Sequence, residues 1–166
     1  MPCRVQVQNS GMIEIVAFEP QHQPAFRHLN EEWISRWFRM EAADYDVLEH
    51  PQDYILDKGG HILMALDAGE PVGTCALLRV DADTFELAKM SVAERIRGQR
   101  VGQQLGEAAI DKAKRLGARR LVLESNTVLE LAIRLYRKLG FRELCGAKGS
   151  AYQRCNIQME LVIRSE

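Results

Sequence analysis

The sequence predicts an α+β fold built on one mixed sheet, and three patterns carry that prediction. Strand-like runs at residues 61–66, 71–80 and 84–92 follow one another across the hairpin-length connections Ala68-Gly69-Glu70 and Asp81-Ala82-Asp83, so they read as antiparallel neighbours. The last of them leads into a long amphipathic helix and then into the apolar strand Leu121-Val122-Leu123. A helix between two strands is a β-α-β crossover, which places its strands parallel. Helical spacing of apolar residues also recurs on either side of this block. With 166 residues, 46% of them hydrophobic, the chain suits a single domain over residues 1–166 with a sizeable core.

Taken in order, residues 12–18 read as a first strand. Residues 23–39 follow as a helix, with Phe26, Leu29, Trp33 and Phe38 broadly at helical intervals. Residues 41–49 are short, acidic and stopped by Pro51, and residues 51–57 start another brief helical turn before the turn Asp57-Lys58-Gly59-Gly60. After the three strands, Val101, Leu105, Ala108, Ala109, Ala113 and Leu116 form one apolar stripe. Thr127-Val128-Leu129-Glu130 fits a capping box, followed by apolar Val128, Leu131, Ala132, Leu135 and Leu139, and Gly140 stops that helix. In the tail, Cys155, Ile157, Met159, Leu161 and Ile163 alternate on one face, as a half-buried strand should.

Composition excludes several classes. No apolar run approaches the ~18 to 20 residues of a membrane span. Residues 1–10 have no apolar signal region, so a cytoplasmic chain is expected. Cys3, Cys75, Cys145 and Cys155 form no Cys-x-x-Cys pair and are expected as free thiols, with a Cys145–Cys155 bridge across a hairpin as the minor alternative. His22, His28, His50 and His61 show no metal-ligand spacing, and no metal is expected. The net charge of −1 hides an asymmetry: residues 1–57 hold four arginines against ten acidic residues, while residues 95–120 hold eight basic residues against two acidic ones.

The chemistry concentrates in Arg97-Gly98-Gln99-Arg100-Val101-Gly102-Gln103. Here a basic, glycine-bearing turn opens a helix, whose free N–H groups and positive dipole end point the same way. That combination binds phosphate. Gly102 and Gly106, each costing roughly 1 kcal/mol relative to Ala in a helix, suggest a close approach to the backbone. The plainer alternative is a solvated basic turn with glycines that allow tight packing. No Gly-Lys-Ser/Thr follows, and glycines spaced by four do not fit the dinucleotide fingerprint.

Arg97-x-x-Arg100-x-Gly102, after a strand ending Met90-Ser91-Val92, resembles the pyrophosphate loop Arg/Gln-x-x-Gly-x-Gly/Ala of the GNAT superfamily of acyl-CoA-dependent N-acyltransferases, with Arg100 in place of the first glycine. Downstream, Glu124-Ser125-Asn126, then Ala132, then Leu135-Tyr136-Arg137-Lys138-Leu139-Gly140-Phe141 resembles the family's Asn, Ala-x-x-x-Tyr and Gly-Phe pattern. The order of elements also matches the family's. The resemblance implies a three-layer αβα arrangement, with a mixed, mostly antiparallel sheet flanked by helices on both faces. It implies an N-acetyltransferase that moves an acetyl group from acetyl-CoA to a primary amine, on a small molecule or a peptide N-terminus, by direct attack in a ternary complex. The pyrophosphate falls to the N–H groups from Arg97 through Gly98, Gln99, Arg100, Val101 and Gly102 to Gln103. Met90 and Val92 fall at the oxyanion and thioester, with Met90 N–H as the donor. By the same resemblance Asn126 is expected to contact the pantetheine arm and Tyr136 to be the general acid for the leaving thiolate; the alternative for Tyr136 is a partly buried packing tyrosine. Several family members carry a catalytic glutamate where Glu86 stands; the alternative for Glu86 is hairpin solvation beside Asp83. Strand alternation puts Glu86, Ala88 and Met90 on one face, and Phe85, Leu87 and Lys89 on the other.

The resemblance implies that the two helices after the first strand form one wall of the acceptor cleft, so the acidic segment with Glu41, Asp44, Asp46, Glu49, Asp53 and Asp57 predicts a negatively charged wall, hence a cationic amine, with Trp33, Trp37 and Tyr45 as stacking surface; the alternative is an acidic outer helix with no substrate contact. Proteins similar to this one are commonly homodimers. Competing classes are a non-catalytic acyl-CoA sensor and a nucleic-acid module. Whole-chain acidity and the lack of aromatic interleaving in residues 95–120 count against nucleic acid.

Overall fold

The computed structural model describes residues 12–145 and 150–164. The chain runs β1 (Ile13–Ala17), α1 (Gln23–Trp37), α2 (Ala42–Glu49), β2 (His61–Asp67), β3 (Glu70–Arg79), β4 (Thr84–Val92), α3 (Val101–Arg115), β5 (Arg120–Ser125), α4 (Glu130–Leu139), β6 (Arg142–Glu143) and β7 (Ile157–Val162). A π-helical turn covers Gln52–Leu56, where a brief helical turn was expected. The expectations for residues 1–10 and Cys3 lie outside the described residues. Cys75, Cys145 and Cys155 are free thiols. Among the described residues no helix is long and apolar enough to cross a membrane.

Seven strands form one sheet in the order β1-β2-β3-β4-β5-β7-β6. Only β4 and β5 are parallel, as the crossover through α3 requires; the other neighbours are antiparallel. One face is covered by α3, whose Val101, Leu105, Ala109 and Ala113 pack with Leu77, Phe85, Leu87, Leu121 and Leu123. Leu116, at the helix end, is 38% exposed and falls off the predicted stripe. On the opposite face Phe26 of α1 and Leu48 of α2 pack with Ile62, Met64 and Ala76. Burial of such side chains contributes roughly 1.5–3 kcal/mol each.

Where β4 and β5 part decides the rest. Their pairing covers Thr84–Arg120, Phe85–Leu121 and Glu86–Val122 and then ends. On the other side, Ala88 pairs with Ala76 and Ser91 with Thr74, so Lys89 and Met90 together face Cys75. This is a bulge, with Lys89 at φ 51°, and a bulge bends its strand and increases the local twist. The expected alternation fails here: Lys89 reaches toward α2 on the side of Glu86, while Met90 packs into the α3-side core with Phe85 and Leu87.

The second motif region is also corrected. Thr127 is not the cap of α4; Leu129 occupies that position without a side-chain cap. Instead the Thr127 N–H donates to Asn156 Oδ1 (3.0 Å), and the Val128 N–H to Asn126 Oδ1 (2.9 Å), which spends these residues on the loop rather than on the helix start. Of α4 itself only Ile133 is fully buried, joined by the Leu129 cap, while Val128 and Leu131 are 56% and 81% exposed. Of the apolar residues expected to form its stripe, Val128, Leu131, Ala132 and Leu135 border a cavity, while Leu139 packs against the α3-side core.

Candidate active site

Two cavities fill the gap between β4 and β5 and meet inside it. The outer one, about 410 Å³, is bordered by Arg97, Gly98 and Gly102 at the start of α3, by Ser91 and Val92 of β4, and by Val128, Leu131, Ala132 and Leu135 of the α4 region. The inner one, about 350 Å³, lies among Trp33, Ile34 and Phe38, the β4 residues Glu86 to Met90, Glu124 to Asn126 at the end of β5, and Tyr152, Arg154 and Cys155. Trp33, Met90, Leu129 and Tyr136 border both.

The outer cavity starts from the α3 N-terminus. Val101, Gly102 and Gln103 carry first-turn N–H groups, which have no partner within a helix, and no acidic side chain stands in that turn. Arg97 N–H and Gln99 N–H, expected to face a ligand, are spent on Glu94 O (3.1 Å) and Ile96 O (3.3 Å) in a 3₁₀ turn. Arg100 holds the left-handed conformation (φ 60°, ψ 23°) that glycine adopts without penalty; for arginine it costs about 1–2 kcal/mol. The side chain of Val101 is buried in the core, and that of Gln103 bonds Glu107 and Lys138, so neither borders the cavity. Gly106 serves packing and no ligand: a Cβ there would lie 2.5 Å from Leu139 Cδ1 of α4. Gly102 borders the cavity, with Leu135 Cδ2 3.3 Å from where a Cβ would stand. Ser91 keeps its buried Oγ without a hydrogen-bond partner among the described residues.

The inner cavity carries the titratable groups. The Glu86 carboxyl, opposite Leu78 on β3, forms no hydrogen bond or ion pair among the described residues. Burial, and then the charge of Glu124, push its carboxyl up to about 7, with Lys89 pulling the other way. Glu124 is fixed by Ser150 Oγ (2.5 Å) and Gln158 Nε2 (3.2 Å), both neutral donors. Tyr136 stacks edge-on against Phe141 at 6.2 Å. Burial pushes its phenol up to about 12, so it stays protonated at neutral pH, and its hydroxyl has no partner among the described residues. Met90 sits at the bulge, outside the β3 register and beyond the end of β5 pairing, whereas Val92 pairs with Gly73. Asn126 borders the inner cavity, with Nδ2 donating to Arg154 O (2.6 Å) and Oδ1 accepting from Val128 N–H. One amide hydrogen and one lone pair remain for anything else.

The acidic wall expected from residues 41–57 is overturned. Asp44 is fully buried and bonded by Arg154 Nη2 (2.6 Å), Arg154 Nη1 (2.7 Å) and Lys89 Nζ (3.0 Å), and Glu41 receives Arg154 Nη1 (2.9 Å). Burial raises the Asp44 carboxyl, but these donors and the Glu41 N–H outweigh it and hold it below the ordinary range. Tyr152 lies between the two cations, with Lys89 Nζ 4.6 Å and Arg154 Cζ 4.4 Å from its ring. None of Asp46, Glu49, Asp53, Asp57 or Tyr45 borders either cavity, while Trp33 and Trp37 do. Sequence reading missed Glu124, Lys89, Tyr152 and Arg154. They come from segments far apart in the chain, and only the bulge at Lys89 turns that side chain inward.

The profile of the Acetyltransferase (GNAT) family matches residues 24–141. The chain is similar to the uncharacterized N-acetyltransferase YjgM of Escherichia coli (strain K12), 31% identical over 142 residues, 76% of this chain and 85% of that protein. It is also similar to N-acetylaspartate synthetase of Mus musculus, 32% identical over 104 residues, 62% of this chain but 35% of that longer protein. Among solved structures, an acetyltransferase of the GNAT family from Staphylococcus aureus MU50 superposes with a TM-score of 0.84 at 21% identity, covering 92% of this chain and 100% of that one. The structure of yncA, a putative acetyltransferase from Salmonella typhimurium with its cofactor acetyl-CoA, gives 0.74 at 17% identity, covering 93% and 95%.

Proposed function

This chain belongs to the GNAT family and is an acyltransferase, and from that premise we propose that it transfers an acetyl group from acetyl-CoA to a primary amine by direct attack within a ternary complex. The observation that carries the reading is the meeting of two cavities at Tyr136 and Met90. One leads to a helix N-terminus suited to a phosphate; the other holds an unpaired carboxylate. The outer cavity fits acetyl-CoA. First-turn N–H groups and Arg97 would hold the pyrophosphate, the apolar wall of Ala132 and Leu135 would hold the pantetheine arm with the remaining valences of Asn126 reaching it from the inner cavity, and Ser91 Oγ is a polar atom beside it without a partner among the described residues. Acetyl-CoA supplies the thioester.

Glu86 takes the proton of the acceptor ammonium, because its proton affinity near neutrality matches that task. The Met90 N–H, free of sheet register, stabilises the oxyanion as nitrogen bonds to the carbonyl carbon; such a donor contributes ~3–4 kcal/mol. Tyr136 gives its proton to sulfur as the carbon–sulfur bond breaks, and is reprotonated from solvent. The test is acetyl-CoA-dependent release of free thiol across a panel of primary amines. Turnover of at least one amine is expected, and Tyr136→Phe should lower it by roughly 10²-fold or more while CoA affinity holds. Thiol release that depends on no amine would sink the reading.

A further inference from the structure

Two carboxylates border the inner cavity without an ion-pair partner among the described residues. Glu86 stands opposite Val122 on β5, and Glu124 is two residues further along β5 on the same face. Both border the cavity, and among the described residues neither forms an ion pair within 4.0 Å. The cations that share the space, Lys89 and Arg154, are already matched by Asp44 and Glu41. Across from the carboxylates α1 presents Trp33, Ile34 and Asn30, whose amide donates to Phe26 O, and the residue after the helix adds Phe38; none of these is charged. The cavity is therefore anionic on its sheet side and apolar on its helix side.

We infer that Glu124 is the acceptor's second anionic contact, seating a primary ammonium between its own carboxylate and that of Glu86, with the acceptor's apolar or aromatic body against Trp33 and Phe38. The inference rests on the acetyl-transfer reading above and names its acceptor class. Glu124 is fit for this duty because Ser150 and Gln158 fix its position through neutral hydrogen bonds, and among the described residues no cation compensates its charge. The same charge acts on Glu86. The other titratable groups around Glu86 are Lys89 on its own strand, Tyr136 from α4, and Tyr152, Arg154 and Cys155 from the segment before β7. Of these Lys89 lowers the Glu86 proton affinity and Glu124 raises it. Removing Glu124 thus weakens ammonium binding and makes Glu86 a weaker base.

The test uses phenethylamine, a cation at neutral pH, and O-benzylhydroxylamine, a near-isostere whose amine is neutral there. Initial rates of thiol release are measured for the intact protein and for Glu124→Gln. Wild type should show a KM about tenfold lower for the cation, the scale of one charge contact in a half-buried site. Glu124→Gln should raise the phenethylamine KM about tenfold, leave that of the neutral isostere unchanged, and move the acid limb of kcat/KM down by about one pH unit. Unchanged CoA affinity by calorimetry reports an intact fold; should that fail, the wild-type comparison of the two amines decides alone. Equal KM values for the pair in wild type, or a variant with wild-type KM and acid limb, overturns the inference. So does a protein that acetylates other amines and refuses phenethylamine, an outcome that leaves the acetyl-transfer reading standing. Thiol release with no amine at all overturns both.

Discussion

The lock around Asp44 and the gap holding Glu86 lie on the same side of the sheet and handle a buried carboxylate in opposite ways. Asp44 accepts hydrogen bonds from Lys89, Arg154 and the Glu41 N–H, and these hold it ionised despite full burial. Glu86, less buried, has no such donor, and its carboxyl is pushed up to about 7 by burial and by Glu124. The difference lies in partners rather than depth. A carboxylate surrounded by donors serves structure, here by tying α2 to the bulge in β4 and to the segment before β7. One left with its burial cost keeps a proton affinity useful near neutral pH. Lys89 joins the two regions, since it pairs with Asp44 while pulling the Glu86 carboxyl downward.

The largest effect expected from breaking this contrast is on rate. Glu86→Gln should lower kcat/KM by ~10²–10⁴ at pH 7.5 while leaving CoA affinity intact. Its stability should move the other way. A carboxyl raised in the folded state contributes stability that is present below its unfolded value and lost as pH rises through about 7. The glutamine variant should therefore melt above wild type at pH 8, by roughly 2 kcal/mol, and lose that advantage near pH 4. A variant no more stable than wild type at pH 8 would show that Glu86 is not held under strain.

Asp44→Asn should do the reverse, costing about 3–5 kcal/mol at pH 7 because buried Lys89 loses its counter-charge and Arg154 keeps only that of Glu41. Asp44 is lowered in the folded state, so its contribution is present above the unfolded value and lost as pH falls through the folded one. Thermal melts of variant and wild type should converge in acid. Parallel melts at every pH would assign the loss to packing instead. The smallest effect belongs to the outer cavity. Arg100→Gly relieves a left-handed arginine at the start of α3 and should stabilise the protein by about 0.5–1 kcal/mol in a denaturant melt, once the greater freedom of glycine in the unfolded chain is counted. A destabilised variant would mean that the Arg100 side chain holds the turn.

Much of the outer cavity was legible in the sequence because its parts are local. The turn from Arg97 to Gly102 and the run from Asn126 to Tyr136 are contiguous, and helix starts, turn residues and apolar spacing act over a few positions. Even there spacing alone does not say what the apolar residues of α4 face. Val128 and Leu131 look like core residues until the partner they face turns out to be an open cavity.

Sequence alone determined the order of elements, the parallel crossover through α3 and the basic turn before it, while the family resemblance implied Glu86 and Tyr136 as candidates. Each follows from periodicity, from turn chemistry or from a motif within one stretch of chain. Tertiary structure alone decided where the negative charge of the inner cavity lies. The acidic residues after α1 are numerous, yet Asp44 and Glu41 are consumed by Lys89 and Arg154, residues 45 and 110 positions from Asp44. The carboxylates left without an ion pair in the cavity, among the described residues, are Glu86 and Glu124, brought to one face by strand pairing and exposed where β4 and β5 separate. A charge has its effect through its neighbours and through the water removed from around it, and both are set by how distant segments pack.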